Sequence, residues 1–263
     1  MNATHQQNFG YLAVICLCSV FSLVSTSVQA ETSIRTFGGV EFGYSTYSFD
    51  QKIDQTLIFP TTSLTAGMAY GSYNLLVSYS FSLDSAEVSE EDFTGSADRE
   101  DLDLVLVYQV SKQISFFGGY KLGETTLDSI SREDEDGPIR KESYEQTGPF
   151  VGISINWIIE DAGRLSLSIA YADLDATNQF VSDGDGADPG EEPEFDDITG
   201  SATGKTTGYS YNLSWTLPLK GNWLYRARLR FNQYQQDINY QGVEFKDIDE
   251  DSTSLLMGLV YVF

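Results

Sequence analysis

Past Glu31 the chain alternates between large apolar and small polar residues, and no stretch of any length carries helical periodicity. In Tyr73–Leu83 the odd positions are Tyr73, Leu75, Val77, Tyr79, Phe81 and Leu83. Asn74, Ser78, Ser80 and Ser82 stand between them, and Leu76 alone breaks the pattern. Leu165–Tyr171 and Tyr209–Leu217 repeat it with Leu, Ile, Tyr and Trp set against Ser, Ala, Asn and Thr. Ten such segments are predicted as strands: 35–49, 61–70, 73–84, 101–110, 114–127, 144–159, 163–176, 204–217, 223–236 and 252–263. Eight or twelve strands also fit, because Leu57-Ile58-Phe59 in the first connection could extend a strand.

The connections alternate in kind. Gly71-Ser72, Ser111–Gln113, Glu160–Ala162 and Pro218–Asn222 are short, and the first is a hairpin of the Gly-first type. The other five, near 50–60, 85–100, 128–143, 177–203 and 237–251, are long and polar. A soluble sandwich would bury its large face and turn a charged one to water. Here the small face is Ser, Gly, Ala, Thr and Asn, which suits a crowded barrel lumen, and many strands have the ten residues a tilted strand needs to cross a bilayer. The expected fold is all-β: a transmembrane, antiparallel, up-and-down β-barrel of ten strands over 31–263.

The first thirty residues read differently. Tyr11–Val24 is a continuous apolar run, too short to span a bilayer, and Val28-Gln29-Ala30 follows with small residues where a signal peptidase reads them. Residues 1–30 are therefore expected to be a signal peptide, although its first ten residues contain neither Lys nor Arg. His5, Cys16 and Cys18 leave with it, so the remaining chain has no thiol, disulfide or histidine chemistry.

At the other end Leu255, Met257, Leu259, Tyr261 and the final Phe263 alternate. Together with the signal peptide and the even strand count, this ending resembles that of bacterial outer-membrane β-barrel proteins. The resemblance covers about 31–263 and identifies no subfamily. It implies the outer membrane of a Gram-negative bacterium, lipid and lipopolysaccharide as surroundings, and the barrel-assembly machinery as a partner during insertion. Enzymes of that architecture (omptin proteases, phospholipases, lipid A palmitoyltransferases and deacylases) use a histidine, which residues 31–263 lack, so a non-enzymatic role is expected.

Aromatic residues and charge then orient the barrel. Trp157, Trp215 and Trp223 lie beside short turns, and Tyr70, Tyr73, Tyr108 and Phe263 join them as an expected periplasmic aromatic belt. The net charge is −24, which argues against nucleic acid and anionic lipid surfaces as partners. The segments around the five long connections hold 34 of the 39 acids and six of the 15 bases, so the acidity belongs to the exterior rim. It is expected to act as a solvated face, with no specific metal site or other cofactor. Weak Ca²⁺ or Mg²⁺ contacts at Asp183, Asp185, Asp188, Glu191 and Glu192 are the sharper alternative, although the order of a preorganised calcium loop is missing.

Counting parity from the aromatic face turns Arg226, Arg228 and Arg230 into the lumen with Glu41, Asp103 and Lys121. A three-residue turn at Ser111–Gln113 sets Asp103 opposite Lys121, and Ser210, Asn212 and Ser214 are expected opposite the three arginines. Two functions fit these charges. One is a salt-bridged lumen beneath acidic loops that meet cations, lipopolysaccharide or an external partner. The other is a narrow porin-like channel lined by arginine.

Overall fold

The computed structural model describes residues 33–50, 53–89, 93–131, 140–181 and 199–263. The expected signal peptide and Asp183, Asp185, Asp188, Glu191 and Glu192 lie outside the described residues. Within them every regular element is a strand: β1 (Arg35–Phe49), β2 (Ile53–Tyr70), β3 (Tyr73–Ser82), β4 (Ala86–Ser89), β5 (Phe93–Gln109), β6 (Ile114–Ser131), β7 (Arg140–Ile159), β8 (Gly163–Phe180), β9 (Gly200–Pro218), β10 (Trp223–Tyr240) and β11 (Val243–Val262).

All pairings are antiparallel between sequence neighbours, except that β1 also pairs with β11 and β3 with β5, which closes the sheet into a barrel. Eleven strands make ten staves. Both β3 and β4 lie on β5, through Phe81–Glu100 and Ala86–Ala97, so they form one stave interrupted at 83–85. Asp98 fills the interruption, accepting hydrogen bonds from Ser82 Oγ (3.1 Å) and Ser85 Oγ (3.0 Å).

Three of the four short turns lie where alternation set them. Gly71 has φ 57°, the left-handed value its hairpin requires at the first turn position. The far end departs from expectation. Three of the five long connections are largely strand instead: β2 begins at Ile53, β4 and the start of β5 take up 86–89 and 93–100, and β10 and β11 meet in a two-residue turn, Gln241-Gly242, with φ 51° and 91°. Such a turn, positive at both positions, matches the twist of a tight hairpin. Strands β5 to β9 likewise run several residues past their expected far ends.

This extension divides the wall into two levels. Next to the short turns the outward positions are apolar, as in Trp157, Ile155, Ile153 and Val151 on β7 or Phe263, Tyr261, Leu259, Met257 and Leu255 on β11. About ten residues of tilted strand cover this band, some 25 Å of height. Tyr44, Tyr79, Tyr120, Tyr171 and Tyr209 mark its upper edge, facing outward. Above that edge the outward residues become Thr46, Glu100, Glu124, Glu145, Asp173, Lys205, Gln233 and Asp251. Inside the upper level lies an apolar core, with Tyr47, Phe49, Leu57, Phe59, Ile238 and Ile248 all nearly inaccessible.

Candidate functional site: a charged layer across the lumen

Parity and register bring the candidate lumen charges to one height. Glu41 on β1 is fully buried and receives Arg226 in a two-pronged contact, Nε to Oε1 and Nη2 to Oε2, both 2.8 Å. Arg228 Nη2 stands 3.2 Å from the same Oε2. Arg226 also donates to Thr65 Oγ1, and Arg228 to Ser63 Oγ, so the carboxylate is tied to β2 as well. Arg230 Nη1 donates to Asp103 Oδ2 at 2.7 Å. Asp103 faces Lys121 across the β5–β6 ladder, with Lys121 Nζ 3.9 Å from its Oδ1.

The shorter contact of Lys121 is one that sequence reasoning missed. Its Nζ lies 2.6 Å from Asp101 Oδ1, and Arg99 Nε lies 3.0 Å from Asp101 Oδ2. Asp101 and Arg99 share the inward parity of Asp103; Arg99 was hidden because the acid-rich stretch 85–100 reads as a loop, whereas Asp101, first residue of the expected strand 101–110, could have been found by the same parity. Arg99 continues upward, donating to Thr125 Oγ1 (2.8 Å) and stacking its guanidinium 4.7 Å above the Tyr47 ring. Five bases and three acids thus form a charged layer of two ion-pair clusters, Glu41 with Arg226 and Arg228, and Asp103 and Asp101 with Arg230, Lys121 and Arg99.

The opposing register needs a correction. Arg228 and Arg230 face Ser214 and Asn212, two of the three residues expected opposite the arginines, but Arg226 faces Thr216, and Ser210 pairs with Asn232 instead. Pro218 belongs to the strand and pairs with Leu224, so the turn is Leu219–Asn222, one residue shorter than the sequence suggested.

Above the layer, Gln146 Nε2 donates to Glu250, which is 2 % exposed and sits higher than the apolar band. Burial raises the Glu250 carboxyl to about 7, with Arg99 and Lys121 pulling the other way. Beside and below the layer the lumen opens into a cavity of about 600 Å³ that runs from Asn232 and Tyr234 to the short-turn end, with Gln109, Ser115 and Arg164 at its mouth.

The aromatic candidates all face outward at that end. Trp223 packs on Tyr261 (4.9 Å between centroids), Tyr261 on Phe263 (5.0 Å) and Tyr73 on Tyr108 (5.1 Å), while Trp215 Nε1 donates to the Ala162 carbonyl. Trp157 and Tyr70 complete the ring, each about half exposed. Phe263 N–H donates to Thr36 O at 2.9 Å, fastening the last residue across the closing seam. Among the described residues no group of three acids converges where a metal ion would sit.

No family model matches the chain, and no curated protein matches it. Solved structures do. The outer-membrane protease OmpT of Escherichia coli aligns over 91% of this chain and 99% of its own, with 12% identity and a TM-score of 0.51. The fold is that of the bacterial outer-membrane β-barrels. The translocator domain of the autotransporter NalP from Neisseria meningitidis aligns over 98% of this chain and 96% of its own, at 11% identity and TM-score 0.47. Ail, the attachment invasion locus protein of Yersinia pestis, aligns over 87% and 99%, at 12% identity and TM-score 0.39. At such identities the likeness concerns the fold and no subfamily is identified.

Proposed function

We propose that the protein is a non-catalytic barrel of the Gram-negative outer membrane, closed to solute flux. Its acidic upper wall projects outward to meet cations, lipopolysaccharide or an external partner. In this reading the short turns and the Trp residues are periplasmic, and the level above the tyrosines stands outside the cell. One observation carries the proposal: the lumen is filled in its upper level. Ion pairs on β1, β5, β6 and β10 narrow it at mid-height, and above them Phe49, Leu57, Phe59, Ile238 and Ile248 fill it as a core. A conducting path would need continuous water, and an apolar core with buried ion pairs is costly to hydrate or part.

The acidic exterior supports the second half of the reading. Glu100, Glu124 and Glu145 sit side by side on β5, β6 and β7, just above the tyrosines. Neighbouring like charges repel, so this rim is suited to partners that bring positive charge, including divalent cations shared with lipopolysaccharide phosphates. The lack of histidine in residues 31–263 supports a role without acid–base catalysis at neutral pH. Single-channel recording in a planar bilayer tests the reading. We expect no sustained conductance, with or without Ca²⁺. Stable openings that change when Arg228 or Arg230 is replaced by Gln would overturn it in favour of an arginine-lined channel.

A further inference from the structure

The cavity beneath the charged layer has two unlike walls. Along the consecutive staves β11, β1, β2, β3, β5 and β6 it is the more apolar, with Phe37, Leu76, Val105, Val107, Phe117 and Val260 between the polar residues at its two ends. The remaining staves, β7 to β10, present mostly hydroxyls and amides, among them Ser154, Ser166, Ser168, Asn212, Ser214 and Thr216, with Phe150 and Leu224 as the apolar exceptions. An apolar arc is not what a water-filled lumen needs, since each exposed Å² disfavours water by about 25 cal/mol.

The charge of the cavity also runs against the rest of the chain. Its lining carries Arg35, Arg164, Arg226, Arg230 and Lys121 but only one acid, Asp103, in a protein of net charge −24. Arg226, Arg230 and Lys121 are matched by Glu41, Asp103 and Asp101. Arg35 and Arg164, exposed at the mouth, have no carboxylate within ion-pair distance among the described residues. At the ceiling Arg230 uses Nη1 on Asp103 and keeps 29% of its side chain accessible, so its other N–H groups are available.

We infer that this vestibule binds a small amphiphilic anion, with a carboxylate or phosphate head and a short acyl or aryl body, admitted from the periplasmic end. The body lies on the β11-to-β6 arc and releases its water. The head is held by arginine and by the serine and amide donors of β7 to β10, where charge-assisted hydrogen bonds are strongest. A volume of about 600 Å³ is within the range of small-molecule sites. The direction of access rests on the outer-membrane orientation proposed above; the binding chemistry does not.

The test is titration calorimetry of the refolded barrel in zwitterionic lipid nanodiscs, with octanoate and octyl phosphate below their aggregation concentrations. 1-Octanol, octylammonium and empty nanodiscs are the controls. We expect saturable one-to-one binding of at least one of the two anions, and the tighter of them identifies the head group. Arg35→Gln with Arg164→Gln should weaken it about tenfold, and Val105→Trp, which fills the apolar wall, should abolish it. A heat-shifted gel band certifies that each variant is folded; among the described residues neither arginine side chain makes an ion pair, so that arm decides even if Val105→Trp does not fold. Equal binding of octanol or octylammonium, heats matching empty nanodiscs, or a folded arginine variant with unchanged affinity would overturn the site. Planar-bilayer recording on the same preparation separates the two claims: conductance there counts against the closed barrel, whereas absent anion binding counts against the vestibule alone.

Discussion

The lower and upper levels of the barrel share one hydrogen-bonded wall and invert each other's chemistry. On β10 the outward residues Tyr225, Ala227, Leu229 and Phe231 face the apolar band, with arginines between them turned inward. Farther along the same strand Tyr234, Ile238 and Tyr240 are buried inside, and Gln233 and Gln235 face out. β8 does the same, from Leu165, Leu167, Ile169 and Tyr171 outside to Ala172, Leu174 and Phe180 inside. The pleat continues while the apolar parity slips by one residue. The solvent outside has therefore changed from hydrocarbon to water. In the lower level polar groups are satisfied within the lumen, whereas in the upper level the hydrophobic effect builds an ordinary core.

The largest expected effect comes from removing that core. Phe59→Ala, at a fully buried position, should cost about 4 kcal/mol in urea unfolding. Phe42→Ala, on the outward band of the adjoining strand, should cost about 1 kcal/mol or less, because lipid can fill the space. Since Trp157, Trp215 and Trp223 all lie in the lower level, their fluorescence reports whether that level survives loss of the upper core. Equal costs for the two phenylalanines would mean that the core is not load-dependent on water at all.

Next in size is the charged layer that separates the levels. Glu41→Gln leaves Arg226 and Arg228 facing one another without a counter-charge and should cost about 3 kcal/mol, part of it recovered in Glu41→Gln/Arg228→Gln. A full additive loss in the double variant would show that the pairs do not couple. Outside, Leu213→Arg in the middle of the band should cost about 2–3 kcal/mol in lipid vesicles, against under about 0.5 kcal/mol for Thr207→Arg higher on the same strand. Similar costs at both positions would erase the boundary between the levels.

The smallest effect is one of pH. Glu250 rises from 4.5 to about 7, so the folded chain holds a proton that the unfolded chain has already released between those values. Stability contributed by the protonated form is therefore full below about 4.5 and lost as pH passes 7. Urea unfolding should show stability falling as pH rises through that window, and Glu250→Gln should flatten the profile. An unchanged profile would place the titration elsewhere.

The lower level was legible in sequence because large-out, small-in alternation is what a lipid-facing strand requires, and because short turns fix its register. Asp103 and Lys121 meet at the number sum that the Ser111–Gln113 turn dictates. The upper level was not, since an apolar phase slip combined with abundant Asp and Glu looks like the end of a strand. Tyr234 and Tyr240 on β10, and Ile248 on β11, are the residues that carried the missing signal: still alternating, in the opposite phase. The β9–β10 register failed for a narrower reason, since Pro218 suggests a turn yet closes the strand.

Whether the solvent changes along the wall can be read directly on β9, because residues 31–263 contain no cysteine. Single outward substitutions Lys205→Cys, Thr207→Cys, Tyr211→Cys and Leu213→Cys, placed in barrels reconstituted in lipid, would be exposed to a membrane-impermeant maleimide. The two-level account predicts rapid labelling at 205 and 207, protection at 211 and 213, and a step between 207 and 211. Labelling at all four positions, or protection extending through 205, would contradict it.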